Sequence, residues 1–310
     1  MYTTLIEPEE LAAPLAHNAT GMSDWAVLDC RFDLARPDWG AAAYEAGHLP
    51  RALYAHLDHD LSGAISPGTG RHPLPTPEQL AATFSRWGID EKVQVVAYDQ
   101  GNGAYAARLW WLLRWLGHRN VALLNGGFAA WQQARLPVDT APAHREPRNF
   151  VPRPAAGQVV TTAELESALQ AGELASSQST DRGTHASGTR PSDKWMLVDA
   201  RAADRFAGQN ETIDPVAGHI PGALNHPFAR NLDAQGRFLP AQELRQRWEA
   251  TLGGAAGGAE RVIAMCGSGV TACHNLLALE IAGLEGARLY GGSWSEWIRA
   301  PHRPVERSSS

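Results

Sequence analysis

Cys266-Gly-Ser-Gly-Val-Thr-Ala-Cys273 is the stretch of this chain with the plainest capacity for chemistry. The apolar run Val262-Ile-Ala-Met265 before it predicts a buried strand, and Leu276-Leu-Ala-Leu-Glu-Ile281 after it predicts a helix. Cys266 therefore falls where a strand ends and a helix begins. Gly267 and Gly269 allow the backbone between them to curl tightly with its amides facing inward. The helix N-terminus adds partial positive charge. Such a cradle favours a thiolate, which makes Cys266 a candidate sulfur nucleophile. The plainer alternative is a packed cysteine behind a strand. Cys273 lies about two helical turns further on and reads as a packed thiol rather than a resolving partner.

The elements that must position this loop follow from apolar runs alternating with helical patterns. In the first half, Leu11 to Leu15 falls in a helix, Ala26 to Asp29 in a strand, and Pro77 to Trp87 in an amphipathic helix opened by Thr76 and Pro77. Val93 to Tyr98 then reads as a strand, Tyr105 to Leu116 as a helix and Val121 to Leu124 as a strand. In the second half, Thr161 and Glu164 carry a capping-box signature for a helix reaching Leu169. This alternation implies an α/β fold, with a mainly parallel sheet flanked by helices.

The two halves are diverged copies of one unit. Trp25-Ala-Val-Leu-Asp-Cys-Arg31 answers to Trp195-Met-Leu-Val-Asp-Ala-Arg201, and Gly47-His-Leu-Pro-Arg-Ala52 to Gly218-His-Ile-Pro-Gly-Ala223. Val95-Val-Ala-Tyr-Asp99 answers to Val262-Ile-Ala-Met-Cys266, and Leu124-Asn-Gly-Gly-Phe128 to Tyr290-Gly-Gly-Ser293. The order is kept and the offset stays between 165 and 171 residues, which indicates two whole domains rather than a solenoid. The expected division is 1–137, a Pro-, Ala- and Arg-rich linker 138–158, and 159–310, with a polar insertion at 176–194. Asp99 stands where copy two has Cys266, so copy one reads as a scaffold or as one wall of a cleft.

Composition narrows the function classes. A chain of 310 residues has room for two domains, and its net charge of −6 does not suit nucleic acid. Three cysteines are too few for a disulfide framework and fit a reducing, cytoplasmic setting. The first residues lack a basic stretch followed by an apolar one, and no apolar run is long enough to span a bilayer.

Taken together, the tandem copies, the Asp-Ala-Arg strand end, Gly-His-Ile-Pro-Gly, Cys-Gly-Ser-Gly-Val-Thr-Ala and Gly-Gly-Ser-Trp-Ser-Glu-Trp297 resemble tandem-domain rhodaneses over nearly the whole chain. The resemblance implies two rhodanese-like domains, no metal and no cofactor. It also implies a sulfurtransferase whose loop cysteine becomes a persulfide and hands the sulfur to cyanide or to a thiol such as thioredoxin. Gly267-Ser268-Gly269 is similar to the 3-mercaptopyruvate branch, whereas the thiosulfate branch carries basic residues there. Within that branch Arg205, in Asp204-Arg-Phe206, would grip the donor's carboxylate, as a planar guanidinium can. The loop residues Gly267, Gly269, Val270 and Thr271 would line the donor site. A second arginine of the branch is replaced by Thr212. The branch further implies a relay of Ser268, His72 (in Arg71-His-Pro-Leu-Pro75) and Asp58 (in His56-Leu-Asp58), in which histidine shuttles a proton and aspartate orients it.

Rival classes fit less well. A cysteine phosphatase needs an arginine six residues after its cysteine, and that position holds Ala272. A non-catalytic rhodanese-like module would have no need of so complete a loop. Asp29 with Arg31, Asp199 with Arg201, His48 and His219 recur in both copies and are expected to hold the fold. Trp110, Trp111 and Trp115 are expected in packing, whereas Trp294 and Trp297 are candidates for pocket walls. His56, His59 and Asp60 match no metal-ligand spacing.

Overall fold

The computed structural model describes residues 1–16, 24–175, 194–253 and 259–308. Apart from Lys194, the expected insertion at 176–194 lies outside them. The chain forms two compact units, Met1–Ala64 with Leu74–Ala155 and Leu232–Phe238, and Ile65–Pro73 with Ala156–Asn231 and Leu239–Ser310. Residues 65–73, expected within 1–137, thus cluster with the second unit. Most of the expected linker is seated on the first unit. There Arg145 Nε donates to the Trp87 carbonyl at 3.0 Å, Arg148 reaches Asp90 at 3.0 Å, and Phe150 packs edge-on against Phe84.

Unit 1 runs β1 (Leu5–Ile6), α1 (Pro8–Ala16), β2 (Trp25–Asp29), α2 (Trp39–Ala46), β3 (Leu53–Tyr54), α3 (Pro77–Arg86), β4 (Gln94–Tyr98), α4 (Ala106–Trp115), β5 (Val121–Leu124) and α5 (Gly127–Gln133). Its five strands lie in the order β1-β5-β4-β2-β3, all pairs parallel. Strands covered on both faces need continuous apolar sequence, which is why Val95-Val-Ala-Tyr98 is buried throughout. Trp110 and Trp111 on α4 are buried, and Trp111 stacks on Trp115, as expected of packing residues.

Unit 2 repeats the plan with β6 (Val159–Val160), α6 (Thr162–Gln170), β7 (Met196–Asp199), α7 (Ala203–Ala207), β8 (Leu224–Asn225), α8 (Ala241–Thr251), β9 (Val262–Met265), α9 (Thr271–Ile281), β10 (Arg288–Tyr290) and α10 (Ser293–Trp297). The order β6-β10-β9-β7-β8 is that of unit 1, so the duplication extends to topology. Capping boxes start α3 at Thr76/Gln79 and α6 at Thr161/Glu164. Among the described residues no helix is long and apolar enough to cross a membrane.

The landmarks shared by the two copies form matching circuits. Arg31 pairs with Asp29 at 2.6 Å and Arg201 with Asp199 at 2.7 Å, all four buried. Each arginine also donates to a glycine carbonyl, Gly47 in one unit and Gly218 in the other. His48 Nδ1 lies 2.8 Å from the Tyr44 carbonyl and His219 Nδ1 2.8 Å from that of Phe206. Trp294 and Trp297 are fully buried in the core of unit 2, with their indole N–H groups on the Val216 and Pro304 carbonyls. They are core residues and not pocket walls.

Candidate active site

Cys266 follows β9 directly, and its loop is fixed by the start of α10. The amide of Trp294 donates to the Cys266 carbonyl at 3.0 Å, and that of Ser295 to the Gly267 carbonyl at 2.9 Å. Ser293 accepts from the Cys266 amide at 3.1 Å and donates to the Tyr290 carbonyl at 2.9 Å. Ser293 holds φ +53°, a conformation unusual for a residue with a side chain. With the loop carbonyls turned toward α10, the Gly269 amide is left to donate to Cys266 Sγ at 3.2 Å. Gly269 itself has φ +79°, and any Cβ there would strike the Gly291 carbonyl. Cys273 is buried with its thiol on the Gly269 carbonyl at 3.3 Å, in keeping with a packed thiol. Val270 is buried at the N-terminus of α9, which begins at Thr271.

Unit 1 shows what an inward-facing amide cradle does. At the end of β4, the Asp99 carboxylate accepts from the amides of Gly101 and Gly103 at 3.0 Å each, Tyr105 at 2.9 Å and Ala106 at 3.3 Å. Burial pushes this carboxyl up, and the four amides oppose the rise. The loop of copy one is therefore filled by its own side chain.

Ser268 and His72 meet in unit 2. Both are buried, and Ser268 Oγ lies 2.7 Å from His72 Nδ1. Residues 69–71 are held in place by α10 and by Arg299 just beyond it. Gly70 donates to Glu296 at 3.3 Å, Arg71 N–H to Ser295 Oγ at 3.1 Å, and Arg299 to the Thr69 carbonyl at 3.1 Å. Asp58 belongs to unit 1, where its amide donates to His56 Nδ1 at 3.1 Å.

Arg205 on α7 faces acids. Its Nε and Nη2 both reach Glu211, at 2.8–3.2 Å, and Nη2 also lies 3.3 Å from Asp214. Asp214 in turn pairs with Arg71, and Arg201 Nη1 stands 3.5 Å from Glu211. Burial pushes the Asp214 carboxyl up, with Arg71 opposing it. Burial also acts to raise Glu211, but hydrogen bonds from Arg205 and the Asp214 and Ile213 amides outweigh it and leave that carboxyl below the ordinary range. Thr212 between them is exposed. A Cβ on Gly267 would lie 2.9 Å from Arg71 Nη2 and 3.8 Å from Arg205 Nη2, so both guanidinium groups border the cysteine loop. Sequence reasoning missed Arg71, Glu211 and Asp214. The signal available was the charge beside His72 in Arg71-His-Pro-Leu-Pro75.

This arrangement can support attack by sulfur at Cys266, proton movement through Ser268 and His72, and anion binding at the arginines. Among the described residues no group of three His, Cys, Asp or Glu side chains is placed to hold a metal ion.

The family model described as Rhodanese-like domain matches residues 7–134 and 186–300. A Pseudomonas aeruginosa protein named probable 3-mercaptopyruvate sulfurtransferase is 46% identical over 303 residues, 97% of each chain. The thiosulfate sulfurtransferase of Rattus norvegicus is 30% identical over 307 residues, 96% of this chain and 93% of its own. The solved 3-mercaptopyruvate sulfurtransferase from Leishmania major superposes with a TM-score of 0.76 at 28% identity, covering 95% of this chain and 74% of that one.

Proposed function

We propose, for a chain that belongs to the rhodanese family and is a sulfurtransferase, that it takes sulfur from 3-mercaptopyruvate onto Cys266 and passes it to a thiol acceptor. The observation that carries this reading is the buried Ser268–His72 hydrogen bond on the loop of the nucleophile. The Cys266 thiolate attacks the donor's sulfur, and a sulfur–sulfur bond forms as the carbon–sulfur bond breaks. The electron pair of the broken bond goes to carbon, giving the enolate of pyruvate. The donor's thiol proton passes through Ser268 to His72 and returns to that carbon, so that pyruvate and the Cys266 persulfide are the products. Gly267, Gly269, Val270 and Thr271 present loop backbone to the donor. Arg205 holds the donor's carboxylate. An acceptor thiolate, that of thioredoxin or a small thiol, then attacks the outer sulfur and restores the Cys266 thiolate. Cyanide would leave as thiocyanate by the same displacement. Three buried cysteine thiols fit work in the reducing cytoplasm.

Thiosulfate is the second donor to consider, because two guanidinium groups beside Gly267 suit an anionic donor. Comparing kcat/KM for the two donors decides between them, and a higher value for thiosulfate rejects the first reading. Mass spectrometry after donor treatment should find one added sulfur on the Cys266 peptide. Cys266→Ser should abolish transfer, while Cys30→Ser and Cys273→Ser keep most of it. Sulfur carried by Cys273 would overturn the nucleophile, and no sulfur on any cysteine would favour a non-catalytic module.

A further inference from the structure

We propose that Ser295 is a positioning residue for proton transfer, which keeps Ser268 and His72 in register by tying together the residues that precede each of them. This inference rests on the relay in the reading above.

Ser295 lies in α10 and is buried. Its amide donates to the Gly267 carbonyl at 2.9 Å, and its Oγ accepts from the Arg71 amide at 3.1 Å. Gly267 immediately precedes Ser268, and Arg71 immediately precedes His72. The 2.7 Å contact between Ser268 Oγ and His72 Nδ1 then closes a ring of three hydrogen bonds through residues 268, 267, 295, 71 and 72. Within Ser295 the separation of the amide nitrogen from Oγ is set by χ1 alone, and packing confines that torsion to a staggered well. The loop of the nucleophile and the segment that carries the histidine are therefore both referenced to one short, stiff residue.

The other ties of this segment to the region of α10 lie further from the pair. Gly70 donates to Glu296 at 3.3 Å, and Arg299 donates to the Thr69 carbonyl at 3.1 Å. They hold the segment on unit 2 even when the Ser295 hydroxyl is removed, and only the tie next to His72 is lost. The approach is close, since a Cβ on Gly70 would lie 2.7 Å from Ser295 Oγ. Proton transfer needs heavy atoms about 2.6–3.2 Å apart, so a slip of roughly half an ångström takes the Ser268–His72 pair out of reach.

The test is a double-variant cycle on the full chain, read as pyruvate release in a single turnover with 3-mercaptopyruvate and no acceptor. Ser295→Ala should slow release by about 10-fold to 10²-fold in the wild-type background. In His72→Ala it should slow release by less than about twofold, because no pair is left to align. Ser295→Cys fills the same space with a poorer acceptor. It should show the same pattern with a smaller loss, and it decides the matter if Ser295→Ala does not fold. Sulfite release from thiosulfate should slow by less than about threefold, since that donor needs no proton on carbon. Where thiosulfate does not load Cys266, the cycle decides alone. Equal losses in both backgrounds, equal losses for both donors, or a wild-type rate in the Ser295 variants overturn the proposal. Wild-type protein that releases no pyruvate, or His72→Ala that releases it at the wild-type rate, would instead reject the reading beneath it.

Discussion

Ser268 Oγ stands 2.7 Å from Nδ1 of His72, a residue 196 positions earlier in the chain. The contact exists because residues 65–73 fold as part of unit 2. A truncation that starts near Gln158 would remove His72 together with the Gly70 and Arg71 backbone contacts to α10, so lost activity would not isolate the relay. His72→Ala is the sharper test. It should lower kcat with 3-mercaptopyruvate by about 10²–10⁴. The loss with thiosulfate should be smaller, because sulfite leaves as a stable anion and needs no proton on carbon. Equal losses for both donors would indicate structural damage, and full activity with 3-mercaptopyruvate would end the relay.

Arg205→Ala should affect donor binding and stability together. Its guanidinium neutralises Glu211, whose side chain is 2% exposed, so removing it leaves a buried carboxylate with fewer partners. KM for 3-mercaptopyruvate should rise by about tenfold or more, in line with a charge-assisted contact of about 1.5–3 kcal/mol. The melting temperature should also fall. Adding Glu211→Gln should restore much of the melting temperature and none of the KM. A double variant that recovers both would assign Arg205 to the fold alone.

The elements were legible where physics acts locally. Strands buried on both faces must be continuous apolar runs, so Val121–Leu124 and Val262–Met265 were readable to the residue. Capping boxes are also local, and Thr161 with Glu164 marked its helix correctly. The first turn of α9 was not legible, since the sequence predicts a helix only from Leu276 and the helix starts at Thr271. This helix is buried nearly all round and includes His274 and Asn275, so it has no polar stripe to reveal its period. Asn231 reaches both of these residues, and the His226 carbonyl accepts from Asn275 at 2.9 Å. The place of Cys266 at a strand end was legible from the apolar run before it and the glycines after it. Arg71 was not, because its meaning depends on Asp214, 143 residues away.

His226 links stability to pH. Burial, more than any other influence, lowers it to about 4, with Arg230 and Arg247 adding to the fall and a hydrogen bond to Asn231 opposing it. Its ring stacks on Trp248 at 3.9 Å, and its Nδ1 and Nε2 meet Thr251 and Asn231 at 2.7 and 3.1 Å. The folded protein therefore keeps this ring neutral at pH values where the unfolded chain binds a proton, roughly between 6.5 and 4. Stability from this group is full above that window and falls as pH drops through it, by on the order of 3 kcal/mol. Thermal unfolding followed from pH 7.5 to 4.5 should show a steeper decline for the wild type than for His226→Gln. Parallel curves would remove His226 as the cause.

Asp99 occupies in β4 the place that Cys266 occupies in β9, and the two loops use their amides differently. Four amides converge on the Asp99 carboxylate, whereas the Gly269 amide meets a sulfur. Asp99→Cys should not create a second sulfur carrier. A thiol is shorter on acceptors than a carboxylate and would leave most of those four amides unpaired in a fully buried position. The expected result is a lower melting temperature, with a loss of about 1–3 kcal/mol for each buried donor left unpaired and not rehydrated. Unit 1 also has Gln100-Gly-Asn-Gly-Ala104 where unit 2 has Gly267-Ser-Gly-Val-Thr271, so no serine stands two residues after the introduced cysteine. Mass spectrometry of the variant after treatment with 3-mercaptopyruvate should find the added sulfur on the Cys266 peptide alone. Asp99→Asn should separate the two effects, because it keeps one carbonyl acceptor and should lose less stability than Asp99→Cys. A persulfide on residue 99 would show that a strand-end thiol suffices without the Ser268–His72 pair, and would count against the relay in unit 2 as well.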